Sequence, residues 1–152
     1  MSDSGMPHIV VASIVERDGR FLIVEERING ASLLNQPAGH WERGETLVEG
    51  AIREALEETG WDVRPTHVLG IYHHEPVGLG YGFLRIAFVA EAIRERAAYQ
   101  LDEGIERAVW MTRDELVASR SRHRSPMLLR CVDDYLAGRR LPLDIIAHLK
   151  SD

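Results

Sequence analysis

The chain has 152 residues, of which 45% are hydrophobic and 28% charged, and a formal net charge of −6. That length predicts one domain with a sizeable core, and the acidic balance argues against a nucleic-acid scaffold or an anionic membrane surface as partner. The single Cys131 excludes an internal disulfide and a cysteine-built zinc site.

The opening MSDSGMPH lacks the apolar stretch of a secretory signal, and no run has the length of a membrane span, so a cytoplasmic protein is expected, one domain over residues 1–152. Residues 8–15 (HIVVASIV) are apolar and rich in β-branched side chains, which predicts a strand. Asp18-Gly19 marks a hairpin turn, with the returning strand at 21–25. Residues 35–39 (NQPAG) read as a strand end and turn, and 39–44 as a loop entering a helix. Further strands are predicted at 66–72, 83–92 and 107–111, and helices at 114–119 and 126–137, the last stopped by Gly138 with Pro142 beyond. No repeat or internal boundary interrupts this order, and strands mixed with helices predict an α/β sandwich.

The helix expected over 47–59 is the most informative element. Leu47, Ala51, Ala55 and Leu56 recur at helical spacing and form one apolar stripe. Thr46 and Glu49 make a capping-box pair, and Gly60 is a natural stop. Glu54, Glu57 and Glu58 stand at i, i+3 and i+4, so they share one face within a turn. Carboxylates so close repel one another, and a hard divalent cation with oxygen ligands suits them best. Arg53 stands one turn from both Glu49 and Glu57 and orients a carboxylate. The loop before the helix offers free N–H groups to phosphate oxygens. The chemistry this predicts is metal-assisted attack of water on phosphorus.

The whole run GHWERGETLVEGAIREALEETGW carries Gly39, Glu45, Arg53, Glu54, Glu57, Glu58 and Gly60 at the spacing G-x5-E-x7-R-E-x-x-E-E-x-G. At residue frequencies of roughly 6% each, these matches arise together at one start point with odds near 10⁻⁸ or below, which sets chance aside. The pattern resembles the Nudix box, the signature of hydrolases of nucleoside diphosphates linked to another group. Ala55 and Trp61 replace bulky aliphatic residues of that box but stay apolar. The resemblance implies an α/β/α sandwich with a mixed β-sheet and a loop–helix–loop catalytic motif. It implies Mg²⁺, with Mn²⁺ as substitute, held by Glu54, Glu57 and Glu58. It also implies a catalytic set of Glu54, Glu57 and Arg53, with Glu45 bracing Arg53. The base is expected to be Glu54, with Glu57 next.

Outside the box the stretches VEERING, LLNQPAGHWE, FLRIAF and RSPMLLRCVDDYLAGRRLPLDII are similar to the NudJ-type phosphatase subfamily. That resemblance implies release of orthophosphate from nucleoside di- and triphosphates and thiamine-type pyrophosphates, by a monomer or homodimer. An ADP-sugar pyrophosphatase is the alternative, with Pro76 near where that subfamily carries a proline; a nucleotide-binding sensor is a further one, disfavoured by the intact box. Substrate contacts are expected from Gly39, from Gln36 with Asn35, from Trp41 by stacking, and from Arg85 by pairing with phosphate, the rival reading of Arg85 being a surface strand charge. Glu103 or Glu106 joins the metal site or is solvated loop charge. His73 and His74 point to opposite faces of a strand and make no joint site. Cys131 reads as a helix core residue, GLGYG (78–82) as a loop near the site, and Arg120, Arg122, His123 and Arg124 as a solvated loop or a phosphate contact.

Overall fold

The computed structural model describes residues 5–149, so the MSDS part of the signal-sequence reading and the last residues of the expected domain lie outside the described residues. In chain order the elements are β1 (His8–Arg17), β2 (Arg20–Ile28), β3 (Ala31–Asn35), β4 (Ala38–His40), α1 (Leu47–Thr59), β5 (Trp61–His74), β6 (Phe83–Glu95), β7 (Ile105–Thr112), α2 (Arg113–Ala118) and α3 (Met127–Leu136).

Strand β1 organises the sheet, whose order is β3-β2-β1-β6-β5 with β4 added on β1 and β7 on β2. Only β1 and β6 run parallel; the other pairs are antiparallel, so the sheet is mixed. The β1–β2 turn is the Asp-Gly hairpin expected. Asp18 has φ 53° and Gly19 φ 79°, and two left-handed residues match the twist of the flanking strands.

Alternation along β1 assigns the two faces of the sheet. Val11 packs with Ala51 of α1, and Val15 with Ala55. Ile14 joins Leu128, Cys131 and Val132 of α3 on the opposite face. The apolar runs at 10–15 and 86–90 are buried on both faces because a helix covers each. The α/β/α layering and the mixed sheet agree with the expected class, and Cys131 is a buried residue of α3.

Three segments depart from the sequence reading. Residues 31–35 form β3, and the supposed loop at Gly39 begins as the edge strand β4, held by Val10↔His40, Val11↔Gly39 and Ala12↔Ala38. At three residues β4 is too short for any periodicity to show. Strand β5 is far longer than 66–72, because Pro65 sits at a register shift where a missing N–H is tolerated. The basic segment at 120–124 is no free loop: Arg122 donates to Ser32 O at 3.2 Å and Oγ at 3.1 Å, and Arg124 pairs with Glu26.

Candidate active site

Helix α1 begins and ends as its residues dictate. Thr46 Oγ1 accepts from Glu49 N at 3.0 Å, and Glu49 Oε1 accepts from Thr46 N at 2.9 Å. Gly60 closes the helix with φ 76°, and its N–H donates to Leu56 O. The capping role takes Glu49 away from Arg53.

Arg53 instead gathers the acidic residues of the box. Its Nε donates to Glu45 Oε2 at 2.9 Å and its Nη2 to Glu45 Oε1 at 2.8 Å, a bidentate brace. Nη1 reaches Glu54 Oε1 at 2.8 Å and Glu57 Oε2 at 3.1 Å, and Nη2 also donates to His40 O at 3.1 Å. The Arg53 hydrogen bonds hold the Glu45 carboxyl below its usual range.

The three helix carboxylates are not equivalent. Glu54 and Glu58 are buried at 9% exposure, whereas Glu57 is half-exposed. The face that carries Glu54 and Glu58 is therefore an interior one, and β4 lies over it. Glu58 Oε1 accepts from Ala38 N at 2.8 Å, satisfying a donor of β4. A Cβ on Gly39 would stand 2.2 Å from Glu54 Cδ, so only glycine lets the strand lie against that carboxylate. Burial raises all three carboxyls above their usual range, Glu58 to about 9.

The acidic loop at 102–106 is tied to the helix through Asp102, a residue the sequence reading did not single out. Asp102 N donates to Glu57 O at 3.0 Å, and the Asp102 charge adds to the upward push on Glu54 and Glu57. The signal was available: an aspartate opening the turn that ends at Gly104, φ 91°. Glu106 points elsewhere and pairs with Arg27 at 3.6 Å, and Glu103 lies exposed in the turn.

Among the described residues no three His, Cys, Asp or Glu side chains are already gathered as a metal cage. Arg53 Nη1 occupies one oxygen each of Glu54 and Glu57, and Ala38 N one of Glu58. The donor chemistry nonetheless fits a hard divalent cation. It is all carboxylate oxygen, crowded on one helical turn beside Asp102, and desolvated enough that a positive charge would stabilise the ionised forms.

A cavity of about 530 Å³ opens beside β4, lined by Val10, Asn35, Gly39, His40, Tyr81, Phe83, Arg85 and Met127 among others. Of the expected substrate contacts, Gly39, Asn35 and Arg85 line it. Arg85 is fully buried, which overturns the surface-charge reading. Gln36 lies behind Arg85, accepting from its Nη1 at 2.7 Å and donating to Leu128 O at 2.7 Å. Trp41 is away from this cavity and exposed, its indole N–H donating to Glu45 O at 2.8 Å. The GLGYG loop borders the cavity through Leu79 and Tyr81, and His74 lines it while His73 turns to Glu75.

The site is thus an arginine-braced carboxylate helix laid against a glycine strand within a three-layer α/β/α domain. The NUDIX domain profile matches residues 6–131, and the chain belongs to the Nudix family. It is 40% identical to Phosphatase NudJ of Escherichia coli over 140 residues, covering 92% of this chain and 90% of that one. A NUDIX hydrolase from Nitrosomonas europaea superposes with a TM-score of 0.92 at 42% identity, covering 94% of this chain and 97% of that chain. An ADP-ribose pyrophosphatase from Streptococcus suis shares the fold, with a TM-score of 0.65 at 15% identity over 95% of this chain and 97% of its own. The protein is thus a Nudix hydrolase, an enzyme of small-molecule substrates in a family that uses divalent metal ions. Among the described residues no helix is long and apolar enough to cross a membrane.

Proposed function

We propose that this enzyme hydrolyses the terminal phosphoanhydride bond of small organic di- and triphosphates, nucleotides and thiamine-type pyrophosphates among them, releasing orthophosphate with Mg²⁺ as its metal. The observation that carries the reading is the oxygen inventory around Arg53. Glu54 and Glu57 each give one carboxylate oxygen to Nη1, and Glu54 Oε2 and Glu57 Oε1 accept no hydrogen bond among the described residues. Terminal cleavage is supported by the similarity to Phosphatase NudJ over nine-tenths of both chains.

Glu54, Glu57 and Glu58 would hold the cation, which supplies positive charge to draw a polyphosphate towards an acidic helix and acidifies water. Arg53 keeps the Glu54 and Glu57 side chains in place, and Glu45 fixes Arg53 in turn. Glu54 takes the proton of the attacking water at Oε2. The water oxygen bonds to the terminal phosphorus as the bridging P–O bond breaks, and the bridging electrons leave with the shortened phosphate chain. Gly39, lacking a Cβ, lets the Glu54 carboxylate stand against β4.

The test is a nucleoside triphosphate incubated with Mg²⁺ in heavy-oxygen water and followed by phosphorus NMR, with a chelated control. Labelled orthophosphate and nucleoside diphosphate should appear first, and only with the metal. Pyrophosphate plus monophosphate as the only products, or cleavage of ADP-ribose alone, would refute terminal cleavage and leave the family membership standing.

A further inference from the structure

Arg85 is a charge without a counter-charge. It is 2% exposed, and its hydrogen-bond partners among the described residues are all neutral. Nη1 donates to Gln36 Oε1 at 2.7 Å and lies 3.8 Å from Cys131 Sγ, and Nη2 donates to Asn35 Oδ1 at 3.0 Å. Burial pushes the Cys131 thiol up, so the sulfur brings no negative charge. Nε is buried and has no partner among the described residues. A cation kept this way in a low-dielectric interior is costly unless something else completes it. The acceptors around it are themselves locked: Gln36 holds Leu128 O, and Asn35 Oδ1 also accepts from Gln36 N at 2.9 Å.

Strand register says which part of a substrate Arg85 can meet. Val10 pairs with both His40 and Arg85, so these three share one face of the sheet. Val11 pairs with Gly39 and packs on α1, so Gly39 faces Glu54 on the other side. The cavity floored by Arg85 and the carboxylate helix thus lie on opposite faces of the short edge strand β4. A substrate engaging both must reach around the edge strand β4. Its phosphates reach the carboxylates, and its organic group remains with Arg85. The walls there suit a flat ring: Tyr81 and Phe83 meet edge to face at 5.5 Å, with Val10, Leu79 and Met127 around them.

We propose that Arg85, positioned by Asn35 and Gln36, donates to a ring nitrogen or keto oxygen on the heterocycle of a nucleoside-type substrate, and so determines which organic group is accepted. This replaces the phosphate pairing expected from sequence, and it rests on the assignment of the phosphates to the α1 side. Charge complementarity carries the choice: an uncharged acceptor-edged ring gains from the uncompensated guanidinium.

The experiment compares GTP with ribose 5-triphosphate, which lacks a base, and measures GMP binding by calorimetry, where nothing is cleaved. Wild-type enzyme should favour GTP by at least ~10-fold in kcat/KM, through KM, as one hydrogen bond to a charged donor supplies. Arg85→Met removes the donor. Asn35→Asp keeps both acceptor contacts and adds the missing carboxylate next to Nη2, so it should fold with an equal or higher Tm. In each variant the GTP preference should collapse to about twofold or less and the GMP Kd should rise ~10-fold or more. Should Arg85→Met not fold, the Asn35→Asp ratio decides alone. An intact preference in the folded variants, with both substrates losing rate in parallel, would overturn the proposal in favour of a phosphate contact or a structural role. A wild-type enzyme indifferent to the base would overturn it as well. The GMP measurement is independent of which bond is cut, so failure of terminal cleavage and failure of this proposal are distinguishable.

Discussion

Glu57 and Gly39 touch the same carboxylate cluster from different elements, and each offers a test at the scale of one side chain. Glu57 accepts from Arg53 Nη1 at 3.1 Å and stands half-exposed, so Glu57→Gln keeps shape and helix while removing a charged ligand. Turnover should fall by ~10² or more, and Tm should stay or rise because like charges are thinned. A near-normal rate at saturating Mg²⁺ would count decisively against the assigned role. Gly39→Ala places a methyl 2.2 Å from Glu54 Cδ, the far end of a flexible side chain. The carboxylate must swing aside while the strand stays, so kcat should drop by about 10²-fold, the order a misplaced catalytic group costs, with Tm little changed. A parallel collapse of Tm in thermal melts would show that the glycine serves the strand and not Glu54. Glycine at this position was legible from the spacing of the box. Its reason was not, because the strand it belongs to becomes visible only when β1 pairs with it.

Helix α1 is the element on which local and tertiary signals agree most closely. Its start, stop and apolar stripe are local properties: the reciprocal Thr46–Glu49 bonds, the left-handed Gly60, and the buried Ala51 and Ala55. Thr46→Ala removes one member of the capping box and should cost about 1 kcal/mol, read as a lower urea midpoint with an unchanged slope. Unaltered stability would mean that packing on β1 and β5 alone holds the helix end. The strands were less legible. Continuous apolar runs identified the central β1 and β6, but β3 and β4 are edge pieces whose residues satisfy no period, and Pro65 concealed the first half of β5. The loop residue tied to the helix is Asp102 and not Glu103 or Glu106, through its backbone N–H on Glu57 O.

Across the whole molecule, acid stability depends on carboxylates tied to arginines between elements. Glu25 of β2 pairs with Arg107 of β7 at 3.0 Å and with Arg122 at 3.5 Å, and Glu45 is braced by Arg53 of α1. Hydrogen bonding to Arg107 lowers the first carboxyl, and hydrogen bonding to Arg53 lowers the second, from the usual glutamate value near 4.5. A folded pKa below the unfolded one means stability fully present above about pH 4.5 and lost as pH falls through the folded values. Urea midpoints should therefore decline below that pH, and the decline should shrink in Glu25→Gln; an identical acid limb in that variant would remove Glu25 from the account. The sequence by itself determined the family, the carboxylates and their arginine, because box residues lie within one turn or one loop and their geometry follows from helical periodicity. Only the tertiary structure decided that Glu54 and Glu58 are buried, that the backbone of Asp102 ties its loop to Glu57, and that Arg85 sits uncompensated on the far side of β4. Those facts depend on which strand covers which face, and strand pairing is a relation between residues far apart in the chain that no local period encodes.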